Sequence, residues 1–366
     1  MQRGLSLYGR IVGRSDRLAW SAAGAILCML SPLVFGQVVP VNAIPPTTLL
    51  SSPPAGELAA AIAGNVHAQL AAGKAYNGDG MVRRNYPEAV KWFTAAAGQG
   101  SVEASVWLGS CYLYGHGVAQ DPSQGVSLIE TAGAQNNPVG LRFMGIMYEE
   151  GLGVAQNYSQ AASWLTKATE KNDPNAFDHL GLLYLHGLGV RKNGRNAISL
   201  LTRGARLEDP WAEFHLAELY QSGQVPSGSE KTAVGKPALH PNYEMAVSLY
   251  GSSAAQGNRI AAYKLGELYE QGKGVAQDYG KAISYYEEAA YRRFAPAQLA
   301  LGKMNELGLG TQVDLVTAQV WYGLAEDQGN AAAGSSANAL KSKMTPDQVQ
   351  EAFSRLTEWE TSNTAN

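Results

Sequence analysis

Small and apolar residues along the chain fall into a helical rhythm. From Ala104 they recur at Leu108, Cys111, Tyr112 and Gly115, steps of four, three, one and three that gather on one face of an α-helix. The rhythm returns every 36 residues: Leu108, Met144, Leu180 and Leu216 share a column, continued after an offset by Leu265 and Leu301. Tyr76, Tyr112, Tyr148, Tyr184 and Tyr220 form a second column, and Tyr269 follows after 49 residues, one period plus an insertion of 13. Half a repeat further on, Ala89, Gly125, Ala161, Ala197, Ala246, Ala282 and Ala318 form a third. It runs three residues ahead of Trp92, Leu128, Trp164, Leu200, Leu249, Tyr285 and Trp321. Seven such units predict stacked repeats that bury their core between neighbours, not separate globular domains.

Each unit predicts two helices. Helix A carries the Leu and Tyr columns and stops at a Gly-x-Gly, where residues able to take positive φ end a helix. Asp121-Pro122 or its equivalent then caps and opens helix B, which carries the Ala and Trp columns. Gly109, Gly145, Gly181 and Gly266 lie inside helix A, where glycine costs about 1 kcal/mol against alanine, so close approach of another helix is expected there. Read alone, "YGHGVAQD" from Tyr114 to Asp121 looks like a phosphate-gripping loop. Such a loop opens a helix with its glycines and follows them with a lysine and a hydroxyl. Here neither follows, and the motif recurs from Glu150, His186, Gln271 and Leu307, which makes it architectural.

With these columns in place, the repeat resembles the Sel-one-like repeat, a relative of the tetratricopeptide repeat. The shared pattern is Ala-x3-Leu-Gly-x2-Tyr-x2-Gly-x-Gly-Val, followed by Asp, Ala, Trp or Tyr, and "AA.QG", from about Val66 to Asn330. Departures are local: Gly78-Asp79-Gly80 sits one residue early, Ala217 replaces the helix A glycine, Asn305 replaces the tyrosine, and the fifth repeat lacks its second loop glycine. The resemblance implies an all-α fold, an α/α solenoid of about seven antiparallel helix pairs wound into a right-handed superhelix. It also implies protein binding more often than catalysis. Members of that family act as scaffolds for secretion complexes, as envelope regulators bound to sensor proteins, and as immunity proteins against delivered toxins.

The ends of the chain carry a different pattern. Residues 1–37 read as a signal peptide or N-terminal anchor: Arg3, Arg10, Arg14 and Arg17 precede an uncharged stretch from Leu18 to about Phe35, with small-residue exits near Gly36 and Ala43. Residues 38–57 read as a flexible Pro-rich linker and 58–330 as the solenoid, with an insertion loop over 224–240. Residues 331–366 read as capping helices and tail. In that tail, Thr345-Pro346 starts a helix on which Phe353, Leu356 and Trp359 are expected to cover the last repeat. The expected location is periplasmic, or the inner membrane through residues 18–36 where the segment is uncleaved; no other membrane contact is expected. Without Arg3, Arg10, Arg14, Arg17 and Asp16, the formal charge moves from −3 to −6, which gives no electrostatic reason to bind nucleic acid.

Candidate chemistry is sparse. The chain contains no Gly-x-Ser-x-Gly elbow, His-Glu-x-x-His, paired Cys-x-x-Cys or Walker sequence, so no catalytic residue and no cofactor is assigned, and a hydrolase is the weakest reading. Asp178, His179, His215 and Glu218 fall in adjacent repeats and can approach a shared metal. Periodicity alone brings such residues together, so they are read as solvated and no metal is assigned. If the first segment is cleaved, Cys111 is the only cysteine; it shares a helix A column with Met147, Leu183 and Leu219, which predicts a buried thiol and no intrachain disulfide. Asn157 heads an Asn-x-Ser acceptor for glycosylation, yet stands where other repeats carry the cap of helix B, so capping is its expected role.

What remains is the surface that repeats present. Helix A positions two, six and nine after the Ala column point away from the core, toward the concave side that solenoids use for partners. They include Arg142, Ile146, Glu149, Leu182, Phe214, Glu218, Tyr263, Glu267, Glu270 and Lys303, the candidate binding residues. Apolar groups with acidic neighbours suggest a groove for another protein; local packing is the competing reading. Phe214 and Tyr263 are expected to be truncated without opening a cavity. The sequence thus points to an exported, non-enzymatic module that binds a secretion component, a sensor or a toxin, the last as an immunity protein.

Overall fold

The computed structural model describes residues 52–78, 82, 84–224 and 240–364. The predicted signal or anchor, most of the linker and nearly all of the insertion loop lie outside the described residues. The fold is all-α, an α/α solenoid of helix pairs. Its compact units divide inside α10 (Pro210–Gln221), one ending at Ala212 and the other starting at Glu213.

The first unit opens with α1 (Ala55–Ile62), three residues before the expected start of the solenoid. Its A helices are α2 (Val66–Asn77), α4 (Val102–Tyr114), α6 (Pro138–Glu150) and α8 (Pro174–His186). Its B helices are α3 (Tyr86–Gly98), α5 (Pro122–Ala134), α7 (Tyr158–Glu170) and α9 (Gly194–Arg206). Each A helix packs on its own B helix. In addition, α3 packs on α4, α5 on α6 and α7 on α8, while α4 reaches α6 and α6 reaches α8. The second unit pairs α12 (Arg259–Gln271) with α13 (Tyr279–Tyr291) and α14 (Ala295–Leu307) with α15 (Leu315–Asp327), and α11 (Tyr243–Ala255) packs on α12. The tail supplies α16 (Ala331–Lys341) and α17 (Pro346–Thr364), both against α15.

Helix boundaries follow from capping chemistry. Asp121 opens α5 with its carboxylate accepting from Gln124 N, and Asn157 opens α7 by accepting from Ser159 N and Gln160 N, the capping role expected of it. The tail helix α17 begins with a reciprocal pair: Thr345 Oγ1 accepts from Gln348 N, and Gln348 Oε1 accepts from Thr345 N. At the end of α4, Gly115 takes φ 72° and donates its amide to Cys111 O. Gly117, also at φ 72°, lies so close to the start of α3 that a Cβ would meet the Tyr86 carbonyl at 2.5 Å. The first loop glycine closes a helix and the second lets the loop lie against the preceding repeat.

The core confirms the Ala column, with Ala89, Ala161, Ala197, Ala246, Ala282 and Ala318 all fully buried. A further column of large, fully buried side chains, however, belongs to the residue after the Trp column. Phe93, Ile129, Leu165, Leu201, Tyr250, Tyr286 and Tyr322 are at most 1% exposed, whereas Leu128, Trp164 and Leu200 are half-buried. This column presses on the small residues inside helix A: a Cβ on Gly145 would stand 2.5 Å from Leu165, and one on Gly302 would stand 2.3 Å from Tyr322. The local cost of a helical glycine is offset by this close A–B approach. Cys111 is buried, and burial pushes its thiol up to about 12. In the tail, Leu356 lies against Gly323, but Phe353 is 64% exposed and covers nothing, contrary to its expected place in the cap.

Candidate functional site

The helix A positions expected to face a partner behave differently in the two units. In the first, Arg142, Ile146, Glu149 and Leu182 are buried, as are Val106, Ser110, Leu113 and Asp178. The expectation of a face free of packing fails there. Consecutive A helices pack on one another, so a helix wheel that divides α6 into a core side and a free side misses a third neighbour. Arg142 Nε lies 3.0 Å from Asp173, whose other task is to cap α8 by accepting from Ala176 N. Glu149 Oε2 meets His179 Nδ1 on α8 at 2.9 Å. These side chains are a seam between repeats.

The seam is ionic and largely buried. Burial opposes the charged imidazole of His179, but the Glu149 carboxylate outweighs it and the pKa is raised. Asp209 accepts from Asn175 Nδ2 and from Ala212 N; burial first, and then the nearby Asp178, push its carboxyl well above the usual range. Of the four residues read from the sequence as solvated, Asp178 and His215 are buried, 1% and 8% exposed, while His179 and Glu218 are half-buried. Among the described residues no group of three or more His, Cys, Asp or Glu is arranged to hold a metal ion.

In the second unit Phe214 is also core. It is fully buried, with its ring 5.7 Å from that of Tyr250, so its truncation would open a cavity. The remaining candidates are accessible: Lys303 is exposed, and Glu218, Tyr263, Glu267 and Glu270 are half-buried. Tyr263 is held between the rings of Tyr286 and Phe294, and its hydroxyl donates to Glu267 Oε1 at 2.9 Å. Burial first, and then Glu267, raise its phenol pKa. Lys264 meets the other Glu267 oxygen at 3.0 Å. Tyr286 donates to Glu270 and, one repeat on, Tyr322 donates to Glu306 at 2.8 Å, where Lys343 also meets it at 2.8 Å. The acidic groups of this face are fixed before any partner arrives. This tyrosine column was missed in the sequence, although it keeps the same period one residue after the Trp column.

Comparison with known proteins agrees with the geometry. The Sel1 repeat profile matches residues 66–101, 102–137, 138–173, 179–209, 212–258, 259–293 and 295–330. Mouse protein sel-1 homolog 2 is 37% identical over 93 residues, 25% of this chain and 13% of that protein. The Arabidopsis thaliana ERAD-associated E3 ubiquitin-protein ligase component HRD3A is 36% identical over 80 residues, 22% of this chain and 12% of that protein. The chain thus spans about an eighth of the length of these curated relatives. The crystal structure of a Sel1 repeat protein from Oxalobacter formigenes superposes with a TM-score of 0.56 at 28% identity, covering 80% of this chain and 83% of that one.

Proposed function

The chain belongs to the Sel1 repeat family, and on that premise we propose that it is an exported, non-enzymatic module that binds another protein through the A-helix face of its second unit. The observation that carries the reading is the contrast in packing. Apart from buried Phe214, positions closed by neighbouring helices in the first unit stay open in the second, where Lys303 is exposed and Tyr263, Glu267 and Glu270 are half-buried. Hydrogen bonds hold the aromatic and acidic groups in place, which lowers the ordering cost of association. Such a face suits a segment with basic and apolar side chains. One curated relative bears the name of a component of a ubiquitin-ligase assembly, which supports a part played among other proteins. Export is supported by the basic residues Arg3, Arg10, Arg14 and Arg17 ahead of the apolar stretch.

Photo-crosslinkers placed in turn at Tyr263, Lys303 and Phe214 test the face. Adducts to a distinct protein are expected from Tyr263 and Lys303 and none from Phe214. Adducts only from outer B-helix positions would reject this face. A C-terminal reporter active only outside the cytoplasm tests export in the same cells.

A further inference from the structure

The loop between α8 and α9 departs from its counterparts in a way that the fold does not need. In three other repeats the residue before the helix B cap is a glutamine that staples the loop to helix A. Gln120 Nε2 donates to Leu113 O at 2.7 Å, Gln156 to Glu149 O at 2.8 Å and Gln277 to Glu270 O at 2.8 Å. Lys192 stands in this place in the fourth repeat, and Arg191 stands where those repeats carry Ala119, Ala155 and Ala276. Arg195 follows just inside α9, at a position held elsewhere by Ser123, Ser159 and Gly280. A structural bond has been exchanged for three cations.

All three are exposed. No aspartate or glutamate occurs between Asp178 and Glu208, and none of the described carboxylates forms an ion pair with Arg191, Lys192 or Arg195. In the second unit, by contrast, exposed Lys281 faces Asp278, and half-buried Arg292 and Arg355 face Glu288 and Glu351. The segment that Gly189 meets carries no charge of its own, although Glu149 and Glu150 lie near Tyr158. Gly189 lies against the start of α7, where Ser159 Oγ donates to Gly189 O at 3.2 Å and the flanking Gln156, Asn157, Tyr158 and Gln160 are neutral. Arg191 and Lys192 line a depression together with Tyr184, Val190 and Asn193, so charge and directional donors converge.

We propose that the edge formed by Arg191, Lys192 and Arg195 beside Tyr184 docks an acidic segment of a partner protein. The proposal rests on the protein-binding reading above and adds a second contact of opposite charge in the first unit. Two arginines offer forked donors that match carboxylate geometry. Three cations are too few for stable attachment to an anionic membrane, where clusters of four to eight are the rule. The net formal charge of −3 opposes a polyanion as long as a nucleic acid.

The test uses the full chain and a fluorescein-labelled peptide of alternating Glu and Ser, with a Gln and Ser peptide as the neutral control. The acidic peptide is expected to bind, with affinity falling as salt rises. Combined Arg191→Glu, Lys192→Glu and Arg195→Glu should weaken it by about tenfold or more. Lys192→Gln should weaken it less and raise the melting temperature by restoring the staple, a pairing of effects that a structural role alone would not produce. Arg206→Glu, at the other end of α9, should change neither. No binding of the acidic peptide, equal binding of the neutral one, or indifference to the triple substitution would overturn the proposal. Tighter capture of phosphatidylglycerol vesicles or oligothymidylate through the same three side chains would overturn it in favour of those partners. Absence of Lys303 adducts in the wild type would count against the broader reading. Their presence beside an inert Arg191 edge would count only against this one.

Discussion

The repeats ending at Ala212 and those starting at Glu213 share one plan but seat different side chains at its deepest point. In the first unit the column is Phe93, Ile129, Leu165 and Leu201; in the second it is Tyr250, Tyr286 and Tyr322. A phenol is longer than an aliphatic group, and its hydroxyl needs a partner when buried. It finds one across helix A, at Gln221, Glu270 and Glu306. The equivalent positions in the first unit, Leu113, Glu149 and Leu185, lack that phenol, and Glu149 turns instead to His179 on the next A helix. The phenol in the core column thus fixes an acceptor on the far face of helix A, where the first unit has a seam closed by the neighbouring A helices. The lesson is that a repeat's surface chemistry is set partly from inside.

Truncating the column breaks the comparison most severely. Tyr286→Ala should cost about 3 to 5 kcal/mol through lost burial and an unfilled cavity, and should release Glu270. Hydrogen exchange should then rise across α12 and α13 while peptides of α6 to α9 stay protected. Uniform loss of protection would mean that the units melt as one.

A smaller insult separates rigid from adaptable packing. Gly302→Ala sets a Cβ 2.3 Å from the Tyr322 ring, which cannot bend away, and should cost about 1 to 3 kcal/mol in denaturant titration. Gly181→Ala meets branched Leu201 at 3.0 Å, which can shift by a few tenths of an ångström, and should cost clearly less. Equal costs would show that tyrosine and leucine columns pack alike. Removing only the hydroxyl is gentler still: Tyr286→Phe should lose about 1 kcal/mol. It should also quicken exchange in α12, and a neutral outcome would deprive the phenol ladder of its role.

The least change is expected from pH, where particular groups in the two units pull in opposite senses. Asp209 and His179 of the first unit both have raised pKa values, so each binds its proton more tightly in the folded chain than in the unfolded one. Their contribution is full at low pH and is lost as pH rises through the folded values, whereas His116, lowered by burial, contributes in the opposite sense. In the second unit the hydrogen bond from Lys343, followed by that from Tyr322, lowers the pKa of Glu306. That contribution is present above the ordinary glutamate range and is lost as pH falls through the folded value. Followed by hydrogen exchange, Asp209→Asn should lessen the fall in stability with rising pH in the first unit, and Glu306→Gln the fall with decreasing pH in the second.

The periodic columns were enough to specify the repeat, its two helices and its capping loops, because these depend on near neighbours in the chain. The αL glycines, the Asn and Asp caps and the buried alanines all follow from spacing within one unit. The binding face was only half legible. Tyr263 and Lys303 lie accessible in a wheel-defined position, yet Arg142, Ile146, Glu149, Leu182 and Phe214 in equivalent positions are enclosed. A helix wheel records where a side chain leaves its own axis and not which other helices stand beside it. Whether Glu149 meets His179 or Glu270 meets Tyr286 depends on which side chains, 30 or 16 residues away, come to rest in the same space. Sequence by itself set the unit and its period; the surface those units present was decided only by packing, because burial is a property of neighbours that stacking brings together.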